Sequence, residues 1–237
     1  MTDRLDLLPA PARSVPGRYD RDLVEAVFTL GAELPIDELT VLDRDGVTAR
    51  AAAAALWMVR LWGQQPGYGC LCLGVGGHLS PGGAYRFRRF QQAFTDWPAS
   101  RHQLLGQAMA AAATADVYVG VLLRAQRSRC SGSSLPGRVA WADVDGAWTA
   151  DRVAALGRLH AHDAVVWQVA SGAGRHLYVP LDEPQPPERL EAWSRRLGAL
   201  LAADAGWSQT KVLRLPGTFN HKPRAHGQPS APVVWLP

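Results

Sequence analysis

The chain has almost no lysine. Among its 237 residues Lys211 and Lys222 are the only two, so the 25 basic residues are nearly all arginine. Cysteine is sparse as well, with Cys70, Cys72 and Cys130 an odd three. Such a set argues against a disulfide framework and for a reducing environment. No apolar run reaches the ~20 residues that a helix needs to cross a bilayer. The longest, AAAAALWMV at 51–59, is flanked by Arg50 and Arg60. The opening residues, MTDRLDLLPAPARS, carry acids and prolines where a leader would be basic and then apolar. These absences predict a soluble, cytoplasmic protein with no membrane partner. No GxxxxGK[ST] phosphate loop occurs, so a motor of that type is excluded from these residues and any unwinding must come from a separate helicase.

What is there is ordinary for a globular chain: 47% hydrophobic and 19% charged residues, which excludes wholesale disorder. A net charge of +4 and a pI near 9.2 permit an anionic partner. Arginine forks suit phosphate, although an arginine- and alanine-rich composition also follows from a GC-rich genome.

Residues 1–18 hold Pro9, Pro11 and Pro16 and read as an arm. Helices are predicted over 20–30 and 47–62, the second capped by Thr48. A strand over 68–75 leads into a loop at 76–83 and the basic segment AYRFRRFQQAF at 84–94. A helix over 100–115, a strand over 116–124 and a flexible basic loop over 125–138 follow. The second half alternates more cleanly: strand 138–144, helix 149–161 capped by Thr149, strand 164–170, a glycine turn at 171–174, strand 175–181, helix 186–203 opened by prolines, and strand 210–217. That order is β-α-β-β-α-β, a ferredoxin-like or RRM-like arrangement. It sets the end of the first strand beside the hairpin that carries His176.

Three segments carry chemistry. In RVAWADVDGAW, Asp143 and Asp145 project from one strand face, ~6.6–6.8 Å apart along the backbone. Two such charges within ~5 Å repel by about 3 kcal/mol at an effective dielectric near 20, so something positive belongs between them. Hard carboxylate oxygens in this arrangement suit Mg²⁺ or Mn²⁺; taken alone, the pair is equally a strand end with an Asp-Gly turn. In VASGAGRHLYV, Gly172 and Gly174 permit close backbone approach, and Ser171, Arg175 and His176 surround them with donors. In KVLRLPGTFNHK, Lys211 and Arg214 precede a Pro-Gly turn and then Asn220, His221 and Lys222, cations and an amide suited to a polyphosphate or nucleic-acid backbone.

In this order and spacing, WADVDG, SGAGRHLYV and KVLRLPGTFNHK resemble the archaeo-eukaryotic primase superfamily, in particular the bifunctional primase-polymerase (prim-pol, RepB-like) domain of plasmids, phages and related mobile elements. ADVYVGVLLR at 115–124 resembles the strand that such domains carry before the acidic one. The resemblance covers 68–237. It implies an α/β (α+β) primase-polymerase core over 66–237, with an N-terminal α/β module at 66–137 and the ferredoxin-like module at 138–237, and leaves 1–65 as an arm and helices of unknown role. It implies a nucleotidyltransferase that makes or extends primers on a single-stranded DNA template from NTPs or dNTPs. Asp143 and Asp145 would hold two Mg²⁺ or Mn²⁺ ions and act with His176. Ser171, Gly172, Arg175, His176, Arg214, Asn220 and Lys222 would bind the nucleotide.

One departure stands out. The family carries a third carboxylate shortly before the RLPG strand, and GWSQTKVLRLPG at 206–217 has none; Asp204 is the nearest acid and Gln209 a neutral alternative. A catalytically silent single-strand-binding module on the same fold is therefore the competing reading. A D-x-D-G phosphatase ranks lower, because Ala147 stands where that chemistry needs Thr. A relaxase-type nuclease built on HAH at 160–162 ranks low as well. YRFRRF at 85–90 interleaves rings and arginines, as a single-strand groove or a solvated helix face would. Arg86, Arg88, Arg89, Arg127 and Arg129 are the candidate nucleic-acid contacts. Cys70, Cys72 and His78 are weak zinc candidates and stronger core residues.

Overall fold

A computed structural model describes residues 19–30 and 46–236; the arm expected over 1–18 lies outside them. Helix α1 (Arg21–Leu30) begins where the Asp20 carboxylate accepts the amides of Asp22 and Leu23 at 3.0 and 3.1 Å. Helix α2 (Val47–Trp62) is capped by Gly46, not Thr48. The Thr48 hydroxyl lies inside the first turn and accepts the Asp20 amide at 3.1 Å, so it joins two helices and caps neither. From Ala51 to Val59 every residue of α2 but Ala53 is buried. A helix apolar on all sides belongs in an interior, and its alanines let neighbours approach closely.

Those neighbours are two antiparallel sheets. Strands β1 (Gly67–Leu79) and β2 (Tyr85–Trp97) form a long hairpin. Helix α3 (Arg101–Ala111) and β3 (Ala115–Gly120) follow, then β4 (Gly137–Val144), α4 (Ala150–Ala161), β5 (Trp167–Ala170), β6 (Arg175–Gln185), α5 (Pro187–Leu200) and β7 (Val212–Arg214). Short strands β8 (Phe219–Asn220), β9 (Ala231–Pro232) and β10 (Val234–Leu236) end the described chain. One sheet runs β2-β1-β3-β7, the other β10-β5-β6-β4, and β8 pairs with β9. A single core joins them: Leu71, Val117 and Leu213 of the first sheet and Trp141, Val169 and Tyr178 of the second share a cluster with α2. The Trp57 ring lies 4.4 Å from those of both Tyr178 and Trp235. A smaller cluster, with Ala142, Val144, Leu177 and Leu197, fills the other face of the second sheet beneath α4 and α5.

The β-α-β-β-α order is present, with Thr149 accepting the Arg152 amide at 3.4 Å as the cap of α4 and Pro187 opening α5. The expected sixth element departs. The strand expected over 210–217 is the three-residue β7, and it pairs with β3 of the other sheet, so the module at 138–237 does not close as a ferredoxin-like unit. The open edge of β4 is covered by α5, where the Ser194 hydroxyl accepts the Trp141 amide at 3.0 Å. The first half of the loop expected at 76–83 continues β1 as far as Leu79, and YRFRRF at 85–90, open between a single-strand groove and a solvated helix face, lies on strand β2. The segment after β3 is tied back by Ala125 N–H to Ser133 O at 2.7 Å and Leu135 N–H to Leu123 O at 2.9 Å. No described helix is long and apolar enough to cross a membrane.

Trp57→Ala should lower the unfolding free energy by about 3–5 kcal/mol, the cost of a large buried cavity. Trp57→Phe should cost clearly less, since the indole N–H has no hydrogen-bond partner. Urea denaturation followed by circular dichroism measures both, and equal losses would contradict the packing role of the ring system.

Candidate active site

The site begins with the pleat of β4. Asp143 stands directly opposite His176 of β6, so both side chains leave the same face of the sheet. The His176 Nε2 lies 3.7 Å from Asp143 Oδ1. His176 is buried, and its Nδ1 has no partner among the described residues. Asp145 lies just beyond the strand end, exposed as a residue but with its carboxyl partly shielded against Asp204.

The positive object beside Asp143 is Lys211. Its Nζ lies 2.6 Å from Asp143 Oδ2, with both side chains about one-fifth exposed. The segment leading into β7 is fastened at several points to bring it there. The Asp204 amide donates to Asp143 O at 3.1 Å, and the Trp141 indole donates to Gly206 O at 2.9 Å. The Gln209 amide meets Glu191 Oε2 at 3.2 Å, and the fully buried Arg124 guanidinium meets Gln209 O at 2.9 Å. The same segment brings Asp204 beside Asp145. Burial, the Asp143 and Asp204 charges and a hydrogen bond with Asp204 push the Asp145 carboxyl above its ordinary range, against the pull of Lys222.

The glycine turn packs on the chain itself. Gly172, at φ 115°, has the space of a Cβ taken by Asn220 Nδ2 at 2.6 Å; that of Gly174 is taken by Val144 O at 2.6 Å. Asn220 Nδ2 donates to Ser171 O at 2.5 Å while its Oδ1 accepts the Lys222 amide at 3.0 Å. Ser171 turns its hydroxyl toward Gly174 O at 3.5 Å. Asn220 therefore fixes the turn that precedes His176 and sets the start of the Lys222 segment. Arg214 of β7 is held by Asp116, whose Oδ1 accepts its Nε at 3.1 Å and the His221 amide at 3.2 Å. Asp116 escaped the sequence reading. Its signal was there: an acid inside the apolar strand ADVYVG must be paired.

Asp143, Asp145, Asp204, His176, Arg214, Asn220 and Lys222 are thus gathered around one end of β4. Arg175 is not: opposite Val144, it faces away from His176, stacks at 4.5 Å on Trp148 and donates to Gln168 at 3.0 Å. Arg86, Arg88 and Arg89 are exposed on β2. Arg127 lies over Tyr68 and 3.5 Å from Asp96, and Arg129 reaches Thr210 O at 3.4 Å. Cys70 and Cys72 are core residues with sulfurs 3.7 Å apart. His160 and His162 are exposed at the end of α4.

Burial pushes the Asp143 carboxyl up, but His176, Lys211 and Arg214 outweigh it and hold its pKa below the ordinary value. Burial pushes the His176 imidazole down to about 4, against the pull of Asp143. At neutral pH the ring is uncharged, so Lys211 and Arg214 carry the compensation. Carboxylates such as Asp143 and Asp145 are of the kind that hold Mg²⁺, which commonly takes one or two of them with substrate phosphates completing its shell, while Lys211 already meets Asp143 Oδ2. Among the described residues no group of three or more acidic, histidine or cysteine side chains is arranged to hold a metal alone.

An unfolded chain protonates its histidines near ~6.5. Between that value and about 4 the unfolded state binds one proton more than the folded state at His176. This contribution to stability is complete above ~6.5 and is lost as pH falls toward about 4; that of Asp143 is lost only further down, below the ordinary aspartate range. Urea midpoints measured from pH 7.5 to 4.5 should fall in the wild type and fall less in His176→Gln. Parallel curves would contradict a buried neutral imidazole.

No family model and no curated protein matches the chain. Solved structures do. The primase RepB' superposes with a TM-score of 0.51 at 16% identity, over 79% of this chain and 56% of that one; this chain thus spans little more than half of its length. The primase-polymerase (PrimPol) AEP domain of cyanophage S-2L gives 0.50 at 16% identity, over 82% and 90%. The catalytic domain of RepB' in complex with initiator DNA gives 0.50 at 16%, over 79% and 84%. The chain therefore shares its fold with the RepB' primase and the cyanophage primase-polymerase domain.

Proposed function

We propose that this chain is a DNA primase-polymerase, a nucleotidyltransferase that makes or extends primers on a single-stranded template. The observation that carries this reading is the Asp143–His176 pair across β4 and β6, faced by Lys211 on a primase-polymerase fold. Asp143 and Asp145 would hold a Mg²⁺ or Mn²⁺ ion, with Asp204 alongside; when bound, it supplies charge neutralisation at the triphosphate. A second ion would have to draw its ligands from the substrate. Lys211 and Arg214 add fixed positive charge to the site. Asp116 holds the Arg214 Nε and leaves its two amino groups for a phosphate. His176, neutral at pH 7, offers a polar ring without adding charge. The reaction joins a 3′-hydroxyl to the α-phosphorus of an incoming nucleotide, releases pyrophosphate and gives the hydroxyl proton to solvent. Replication of a plasmid, phage or other mobile element is the setting that the resemblance implies, with strand separation supplied by a helicase in trans.

A second reading has its own observation. Lys211 already neutralises Asp143, and 206–217 carries no acid, as a silent single-strand-binding module would. Dinucleotide synthesis and primer extension on single-stranded DNA, with Mg²⁺ or Mn²⁺ and either NTPs or dNTPs, separate the two. The wild type should be active, excess chelator should abolish activity, and Asp143→Asn/Asp145→Asn should lose ~10²-fold or more. Strand binding without extension under any metal would overturn the enzyme reading, and hydrolysis of simple phosphomonoesters would replace it with a phosphatase.

A further inference from the structure

The hairpin of the first sheet carries rings that the carboxylate site does not use. Where β2 crosses β1, the latter is bare backbone: a Cβ at Gly74 would lie 2.4 Å from the Phe87 ring, and one at Gly77 1.9 Å from the Tyr85 hydroxyl. The rings fold down onto these glycines and meet one another. Centroids lie 5.2 Å apart for Tyr85 and Phe87, 5.9 Å for Phe87 and Phe90, 6.2 Å for Phe87 and Tyr118, and 6.1 Å for Phe90 and Tyr118. Guanidinium groups stand at two sides, Arg214 at 5.1 Å over Tyr118 and Arg129 at 5.9 Å over Phe90.

The group is open to solvent. Phe90 is 41% exposed and the other three rings are half-buried, while Leu71, Val117 and Leu213 of the same sheet are committed to the core. Among the described residues the charge along β2 beside it is positive. Arg86, Arg88 and Arg89 are exposed on β2, and Asp116, the acid that touches the group, is taken up by Tyr85 at 3.1 Å and Arg214. Arg214 touches the platform and also acts on Asp143 and His176. Exposed rings joined to a carboxylate site, beside β2 arginines that have no acidic partner among the described residues, fit a ligand with flat apolar faces on a polyanionic backbone.

We propose that Phe87, Phe90 and Tyr118 form a stacking platform for bases of single-stranded DNA, with the β2 arginines along its backbone. A strand is favoured over a free nucleotide because the arginines extend along β2, away from Arg214. The proposal rests on the nucleic-acid reading above. Each stacked base contributes ~1–3 kcal/mol, or roughly 5- to 150-fold in affinity.

Fluorescence anisotropy tests it with labelled oligo(dT) and an abasic oligonucleotide of equal length and charge, with no nucleotide present. The wild type should bind oligo(dT) at least ~5-fold more tightly. Phe90→Ala, chosen because the ring is already exposed, should remove most of that difference and leave abasic binding unchanged. Arg88→Ala should weaken both oligonucleotides alike and reduce the salt slope by about 1. Equal wild-type binding of the two would overturn the platform while leaving the nucleic-acid reading intact. Loss of free dNTP binding in Phe90→Ala with oligonucleotide discrimination unchanged would assign the rings to the incoming nucleotide and overturn the strand proposal. Binding of neither oligonucleotide would overturn both readings.

Discussion

The structure turns on one electrostatic constraint: Asp143 is ionised in a mostly buried place and must be compensated there. The carboxylate comes from the second sheet and the ammonium of Lys211 from the segment entering the first, so their 2.6 Å contact spans the two sheets. Removing one partner would strand the other charge in a poorly solvated place, which is far worse than losing an exposed pair. Arg124, Glu191 and the Trp141 indole all grip the segment that carries Lys211. Those are many anchors for a stretch with so little regular structure, and together they set where a single Nζ sits.

The same constraint accounts for the path of β7. Had that strand joined β4, as the β-α-β-β-α-β order suggested, Arg214 would lie in the sheet of Asp143. Pairing with β3 instead puts Arg214 opposite Tyr118 and within reach of the buried Asp116. The first sheet then delivers cations toward the second, which delivers the carboxylate and the imidazole. Two sheets of opposite chemical contribution meet at one edge, and α2 keeps their separation fixed by lying buried in the core they share.

How much of this was legible follows from how local each signal is. The elements from β4 to α5 were readable because each has its own period or cap: alternation in β4, Thr149 at α4, prolines at α5. The Asp143–His176 adjacency followed from strand order alone. Lys211 was visible as a cation, but not its partner, which lies 68 residues away. The sheet membership of β7 was hidden, since three residues carry no period and a partner in β3 leaves no mark on them. The hairpin was obscured because glycines in β1 and arginines in β2 break the apolar alternation that identifies strands. Arg175 is different. Adjacent residues of a strand face opposite ways, so the pleat that carries His176 to Asp143 sends Arg175 to the other face. Closeness in the motif obscured a rule that the residue numbers already contained.

The scarcity of lysine then takes on meaning. In a chain that uses arginine almost everywhere, both lysines act on the acidic group: Lys211 by direct contact with Asp143, Lys222 by its charge on Asp145. Space decides the first. A Cβ on Gly206 would lie 2.7 Å from Lys211 Nζ and 3.4 Å from the Asp143 Cβ, so the ammonium already fills its slot. A planar guanidinium needs the width of its fork and more than one acceptor in its plane, and the other carboxylate oxygen, Asp143 Oδ1, lies on the side of His176. A point charge on a slender stem satisfies one carboxylate oxygen and leaves the imidazole beside the other. Arginine serves where a ring or a phosphate offers a broad surface, as at Trp148 and Tyr118; lysine serves where a single oxygen must be met in a narrow place.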